Sequence, residues 1–427
     1  MSCNKFDEYR LGDLVGISSS KRIYAKEYLD YGIPFYRSKE IIEKHKGNEI
    51  STELYISEER YNELRERFGV PNEGDILLTS VGTLGVPYLV RDEEFYFKDG
   101  NLTWFKCFNN KCNNEFIYYW LQSPFAKEQI YNKSIGSTQK ALTIDTLRKF
   151  KISLPNLDEQ KKIVSILSSL DKKIELNNEM NKTLEEIAQA LFKRWFVDFE
   201  FPNEEGKPYK SSGGEMVESE LGMIPEGWSY GIFSDISKRI YSGGTPNTKE
   251  ESYWNGLLPW MSSGETRNSF VTNTEKSITE LGVVKSSTKL ANKYNTVIAS
   301  AGQGFTRGQT SLLLIDTYVN QSLIVIDGCE EFELFNYINI KLRYNELRAI
   351  SDSHSIRGSL TTKMIAALGT IIPSIEILKK YNSIIKPIID IIENNISNTN
   401  RLIELRDSLL PKLMSGEIRV DNLETDI

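Results

Sequence analysis

Arg, Lys, Asn and Gln carry the donors and acceptors that pair with base edges, while Ser, Thr and glycine-flanked backbone amides reach phosphates. Such residues gather in Gly-containing loops at two places in this sequence. The first set is Lys21, Arg22, Arg37, Lys39, Ser80, Thr83, Gln139 and Lys140. The second is Asn247, Lys249, Ser263, Arg267, Gln303, Thr306, Arg307, Gln309, His354 and Arg357. Any one of them alone is an ordinary solvated loop residue. The two sets fall at matched places of an internal repeat, and that recurrence makes them candidate DNA contacts, with Arg307 and Arg357 foremost.

Catalytic chemistry finds no comparable support. No GxxxxGK[ST] phosphate loop occurs, and none of the 13 prolines adjoins another, which excludes the Asn/Asp-Pro-Pro-aromatic loop of amino-methyltransferases. GQGFTRG (302–308) fits neither GxGxxG before a helix nor the Walker pattern, so it reads as a strand loop at a binding face. Glu205-Gly206-Lys207 has the E-x-K of a nuclease core but lies in a Pro- and Gly-rich stretch, where a solvated linker is the better reading. His45 and His354, the only two histidines, lie in different copies, and Cys3, Cys107, Cys112 and Cys329 form no CxxC pair. A duplicated His-based site, a structural zinc and a disulfide framework are therefore not expected, and no metal or cofactor is assigned to this chain.

The elements that position the loops are themselves duplicated. IPFYRSKEI (33–41) recurs as LPWMSSGET (258–266), GDILLTSVGTLG (74–85) as NTVIASAGQGFT (295–306), and KALTIDTLRKFKISLP (140–155) as GSLTTKMIAALGTIIP (358–373). Pro34 and Pro259, Gly82 and Gly302, and Pro155 and Pro373 give offsets of 225, 220 and 218. Each copy holds short β-rich runs separated by Gly turns, then a helical segment, a short strand and a heptad pattern. The chain divides into a globular unit (1–156), a long helix (157–197), an acidic linker (198–227), a second globular unit (228–374), a second long helix (375–416) and an acidic tail (417–427). The fold class is α+β: two tandem α/β domains joined by two long antiparallel coiled-coil helices, with an internal pseudo-twofold repeat.

Apolar residues make up 40% of the chain and charged residues 26%, as in a globular protein, and 427 residues suffice for several cores. A net charge of −7 argues against a nucleic-acid binder only until it is located. Residues 198–226 carry −6 and the tail from Glu417 carries −3, which leaves +2 for the rest. No run of about 18 apolar residues suits a membrane helix, and MSCNKFDEYRLGD has no apolar signal core, so a cytoplasmic protein is expected.

The heptads predict a register. In the first helix the seam reads Ile163, Leu167, Leu170, Ile174, Asn177, Asn181, Leu184, Ala188, Leu191 and Trp195. At an offset of 218 the second reads Tyr381, Ile385, Ile388, Ile392, Asn395, Thr399, Leu402, Arg406, Leu409 and Leu413. If the helices run antiparallel with facing numbers that add to 576, apolar residues oppose apolar ones. Asn177 then meets Thr399 and Asn181 meets Asn395, and only Leu170 opposite Arg406 is mismatched. A sum of 583 would oppose Asn181 to Leu402 and leave buried amides unpaired at about 1–3 kcal/mol each.

SGGTPNTKEESYWNGLLPWMSSGE (242–265), ISEERYNELRERFGVPNEGDILLTSVGTLG (56–85), LPNLDEQKKIVSILSSLDKKIELNN (154–178) and GEMVESELGMIPEGW (214–228) together resemble the specificity subunit of type I restriction-modification enzymes. The resemblance covers nearly the whole chain, although the first copy has YAKEYLDYGIPFYRSKEI where the second has the fuller SGGTP and YW pattern. It implies a non-catalytic DNA-recognition subunit of a methyltransferase/endonuclease complex, with two target recognition domains that each read half of a bipartite double-stranded DNA target. It also implies helices that set the spacer and dock two modification (methyltransferase) subunits, with two restriction (motor-nuclease) subunits joining. S-adenosylmethionine, ATP and Mg would belong to those partners. The alternative is a coiled-coil scaffold with protein-binding heads and no DNA affinity.

Overall fold

The computed structural model describes residues 6–47, 50, 53–134, 141–220, 222–302, 304–354 and 358–420. It forms two compact units, Met1–Leu176 with Asn400–Ile427, and Asn177–Thr399. The division falls inside both long helices, at neither of their ends, because each globular body packs on its own share of them.

The first unit is built on a four-stranded antiparallel sheet in the order Gly16–Ser18, Leu102–Lys106, Ile76–Thr79, Pro87–Leu89. All four residues of Ile76–Thr79 are buried, as an apolar run covered on both faces requires. Side chains of a strand alternate between faces. Ile76, Leu78 and Phe105 accordingly join Phe116, Ile117, Trp120 and Leu121 of the helix Asn114–Gln122 in one cluster. Leu77 and Trp104 join Tyr36, Tyr88 and Phe97 in the other. A smaller sheet, Tyr55–Ile56, Ile33–Tyr36, Tyr96–Phe97, holds one parallel pair, Phe35 opposite Tyr96.

The second unit repeats this plan. Its main sheet runs Ser237–Ser242, Leu323–Gly328, Thr296–Ala299, Thr310–Leu313, with Phe270–Val271 added at the edge. Ile298 and Leu312 enter one cluster while Val297 and Leu313 enter the other. The smaller sheet again has a parallel pair, Trp260 opposite Tyr318, and gains the strand Lys289–Ala291. The repeat extends to single hydrogen bonds: Leu142 N donates to Ser80 O, and Leu360 N to Ser300 O, both at 2.9 Å. Thr143 and Thr361 then cap equivalent short helices.

The long helices are Leu157–Phe192 and Ile375–Ser415. In the first unit Ile163 and Leu167 pack with Leu410 and Leu413. Arg406, which the heptad sets opposite Leu170, reaches past it to Asp171 (Nη1 to Oδ1, 2.8 Å), and Tyr119 Oη donates to the other oxygen of Asp171 at 2.7 Å. In the second unit Asn177 Nδ2 donates to Thr399 Oγ1 at 3.2 Å, and Asn395 Nδ2 to Asn181 Oδ1 at 2.9 Å. Both pairs have numbers that add to 576. Leu184, Ala188 and Leu191 share one apolar cluster with Ile385, Ile388 and Ile392.

Asn177 is 2% exposed, so its partner matters. Thr399→Val should lower stability by about 1–3 kcal/mol, because it leaves a buried amide without its acceptor. Changing Asn177, Asn181, Asn395 and Thr399 together to Leu should instead raise the melting temperature, since both sides of each polar pair are removed. Thermal unfolding of the two variants beside the parent checks the opposite signs.

Residues 198–227 are not the free linker that their charge suggests. The helix ends in a π-turn, Lys193–Val197, that buries both Trp195 and Phe196. Phe199, Phe201, Ile224 and Trp228 are then buried in the second unit's core. The Phe201 ring stacks on Trp228 at 5.0 Å and on Tyr209 at 4.6 Å. Strands Met216–Ser219 and Gly222–Pro225 pair as a hairpin. Aromatic burial outweighs chain freedom here, while the carboxylates stay toward water. Glu205-Gly206-Lys207 is an exposed turn. The tail also begins folded, with Val420 buried and Arg419 paired to Glu159 at 2.8 Å; residues 421–427 lie outside the described part.

Candidate nucleic-acid interface

In the first unit a continuous set of loops forms at the end of the central strand Ile76–Thr79. Val81 bridges Ala141, Ser80 N donates to Asn101 O at 2.8 Å, and Ser38 Oγ donates to the same carbonyl at 3.4 Å. Gly100 N donates to Ser19 Oγ at 3.4 Å, and Lys21 N to Tyr96 Oη at 2.8 Å. Lys21, Arg22 and Thr83 stand exposed on this set, and Lys39 is exposed in the first turn of the helix Ser38–His45. Lys21 Nζ lies 4.6 Å from the Phe68 ring centre, and Arg22 pairs with Asp99 at 2.9 Å. Gln139 and Lys140 lie outside the described residues.

Two expected contacts in this unit are corrected, Ser80 by burial and Arg37 by its ion pair. Ser80 is 2% exposed, and its hydroxyl bonds with Leu78 O at 3.2 Å and Thr103 Oγ1 at 2.5 Å, so it cannot face a phosphate. The Arg37 guanidinium grips the buried Glu40 with Nη2 to Oε1 at 2.7 Å, while Arg37 N donates to Oε2 at 2.8 Å. Burial works to raise the Glu40 carboxyl, but the Arg37 bonds outweigh it and hold it below the ordinary carboxylate range. Arg37 therefore anchors the helix Ser38–His45.

The sequence reading also missed a cleft of about 510 Å³ between the Gly82–Pro87 loop and the helix Pro124–Lys133, lined by His45, Gln122, Lys127 and Tyr131. His45 Nδ1 meets Pro87 O at 2.8 Å. Burial, with Arg406 and Lys127 nearby, holds the His45 imidazole below its usual pKa against the pull of that carbonyl. The available signal was Lys127 and Tyr131, four residues apart on one helix face.

In the second unit the loops converge in the same way. Ser300 N donates to Ser322 O at 2.9 Å, Thr245 Oγ1 to Gln321 Oε1 at 2.5 Å, and Thr266 Oγ1 to Gln309 Oε1 at 3.5 Å. The Gly243-Gly244 pair is required by close approach: a Cβ would lie 1.9 Å from Val319 O at the first and 2.1 Å from Ser287 Oγ at the second. Asn247 and Lys249 are exposed, and Trp254 Nε1 fixes their turn by donating to Asn247 O at 3.1 Å. Beside them opens a cleft of about 660 Å³ lined by Thr248, Trp254, Asn273, Glu275 and Lys276. Arg267 is exposed and paired with Glu275, whereas Ser263, Thr306 and Gln309 are half-buried.

Arg307 requires the largest correction in this unit. Its side chain is 11% exposed, Nη1 donates to Gly358 O at 2.7 Å and Nη2 pairs with Asp352. It ties loop to loop and has little surface left for a base edge. Gln303, Arg357 and the side chain of His354 lie outside the described residues. Among the described residues, no group of three or more His, Cys, Asp and Glu could hold a metal, and no helix is long and apolar enough to cross a membrane.

The family description "Type I restriction modification DNA specificity domain" matches residues 4–186 and 225–404, once for each copy of the repeat. Over 427 residues the chain is 28% identical to the type I restriction enzyme MjaIX specificity subunit of Methanocaldococcus jannaschii, covering 97% of this chain and 93% of that one. It is 26% identical to the HindI specificity subunit of Haemophilus influenzae, covering 71% and 77%. The fold is similar to that of a type I restriction-modification S subunit from M. genitalium, with a TM-score of 0.59, 15% identity and 97% of both chains covered. With its duplicated sheets, its paired long helices and a family match across both copies, the chain belongs to the type I restriction-modification DNA specificity family.

Proposed function

We propose that this chain is a sequence-specific DNA recognition subunit in which each unit reads one half of a bipartite double-stranded target. The observation that carries the reading is the duplicated loop set, held at the end of equivalent strands by equivalent hydrogen bonds from Leu142 to Ser80 and from Leu360 to Ser300. Among the described candidates, Lys21, Arg22, Lys39 and Thr83 in one unit, and Asn247, Lys249 and Arg267 in the other, are exposed. Basic and amide groups on such loops suit phosphate positioning and base-edge readout.

The chemistry belongs to partners in this reading: two modification subunits bring S-adenosylmethionine, and two restriction subunits bring ATP and Mg. The helices dock the modification subunits and set the spacer. Apolar residues left outside the seam support docking. Met180 and Ile187 lie a heptad apart on the first helix, as do Ile384 and Ile391 on the second, and all four are exposed. The test is co-expression with the host's modification subunit, followed by mapping of methylated bases across the genome. A two-part motif with an unspecified gap is expected. Methylation without a motif, or none with a stable complex present, would favour a protein-binding scaffold.

A further inference from the structure

The loop after the central strand differs between the units, and the difference falls on one aromatic residue. The same hydrogen bond closes both loops, from Gly85 N to Thr79 O at 2.8 Å and from Gly308 N to Ala299 O at 2.9 Å. Donor and acceptor stand 6 positions apart in the first unit and 9 in the second, so the second loop is three residues longer. The large apolar residue of the short loop, Leu84, packs back onto its unit's core. Its counterpart in the long loop, Phe305, is 80% exposed.

The exposed ring is held in place. Tyr344 Oη donates to Phe305 O at 2.8 Å, and Arg348 Nη1 donates to Gly304 O at 2.6 Å. Both donors come from the helix Tyr344–His354, and Arg307, two residues on, is itself tied to Gly358 and Asp352. A ring on a slack loop would fold onto nearby apolar surface. Three side chains hold this backbone, so the ring is presented to solvent.

We propose that Phe305 is a wedge that enters a base step of the duplex read by the second unit and partly unstacks it. The inference rests on the DNA-reading function above and deepens it. Its immediate neighbours Gly304 and Thr306 are small or polar, which suits a single protruding ring better than the contiguous apolar core of a protein interface. An inserted apolar side chain reads deformability: pyrimidine–purine steps open more easily than others, so the wedge adds sequence preference without a base-edge hydrogen bond. The first unit, with Leu84 packed inward, has no such device in this loop.

The test uses the chain in complex with its modification subunit and duplexes that carry the methylated motif. In each duplex 2-aminopurine replaces one adenine, except the methylation target, which a methyltransferase extrudes by itself. Binding should raise fluorescence at one step within the second unit's half. Phe305→Ala should abolish that rise and weaken binding about ten-fold, while Phe305→Leu keeps most of both. Tight binding by the parent with no rise at any position would overturn the wedge, whatever the variants do. An unchanged rise and affinity in Phe305→Ala would overturn it equally. If the parent does not prefer the motif over a scrambled duplex, the DNA-reading function itself fails, a result distinct from both.

Discussion

Exchanging residues 1–156 for the matching segment of another specificity subunit should replace one half of the methylated motif and leave the other half and the gap unchanged. Each unit has its own clusters on both faces of its central strand, so the second unit's loops do not depend on the first unit's sheet. The exchanged segment must keep its packing on Ile163, Leu167, Leu410 and Leu413, because these helix residues share a cluster with Phe116 and Trp120. Each mismatched base pair costs about 1–3 kcal/mol, so loss of a half-site of several pairs should cut methylation of the old motif by at least about a thousand-fold. Genome-wide methylation mapping of parent and hybrid checks this. A change in both halves at once would show that the units do not read independently.

Seven residues inserted between Lys173 and Ile174, with seven more between Leu402 and Ile403, should lengthen the unspecified gap by about three base pairs. A heptad adds about 10.5 Å of helix, against 3.4 Å per base pair along one strand. Insertion at facing points keeps both seams in phase and leaves the Asn177–Thr399 and Asn181–Asn395 pairs intact. A heptad in one helix only would slide the register and set amides against apolar residues, so that variant should lose stability. The measurement is again the methylated motif, read for gap length. An active double insertion with the original gap would show that the helices do not set the spacing.

The sequence alone determined the repeat, the α+β class with two long helices, and the facing sum at which three amides and a threonine meet. These depend on short-range regularities: a 3.5-residue period fixes which side of a helix is apolar, and polar residues at matching seam positions leave one economical alignment. Ile76–Thr79 and Thr310–Leu313, read from DILLTSV (75–81) and SLLLI (311–315), were legible as strands for the same reason, being short apolar runs bounded by turns. The tertiary structure decided which loop residues are available. Arg307 looks like a base reader until Asp352, 45 residues away, claims it, and Arg37 until the buried Glu40 does so in the first turn of the helix that follows. Ser80 is spent on Thr103 of the neighbouring strand. The acidic stretch after Val197 became part of the core because Phe201 and Trp228, far apart in sequence, stack on each other. Phe305 was one aromatic among many until Tyr344 and Arg348 fixed its backbone outward. A side chain's type and local spacing fix what it can bind, but whether it is free to do so depends on partners that only folding brings within hydrogen-bond reach.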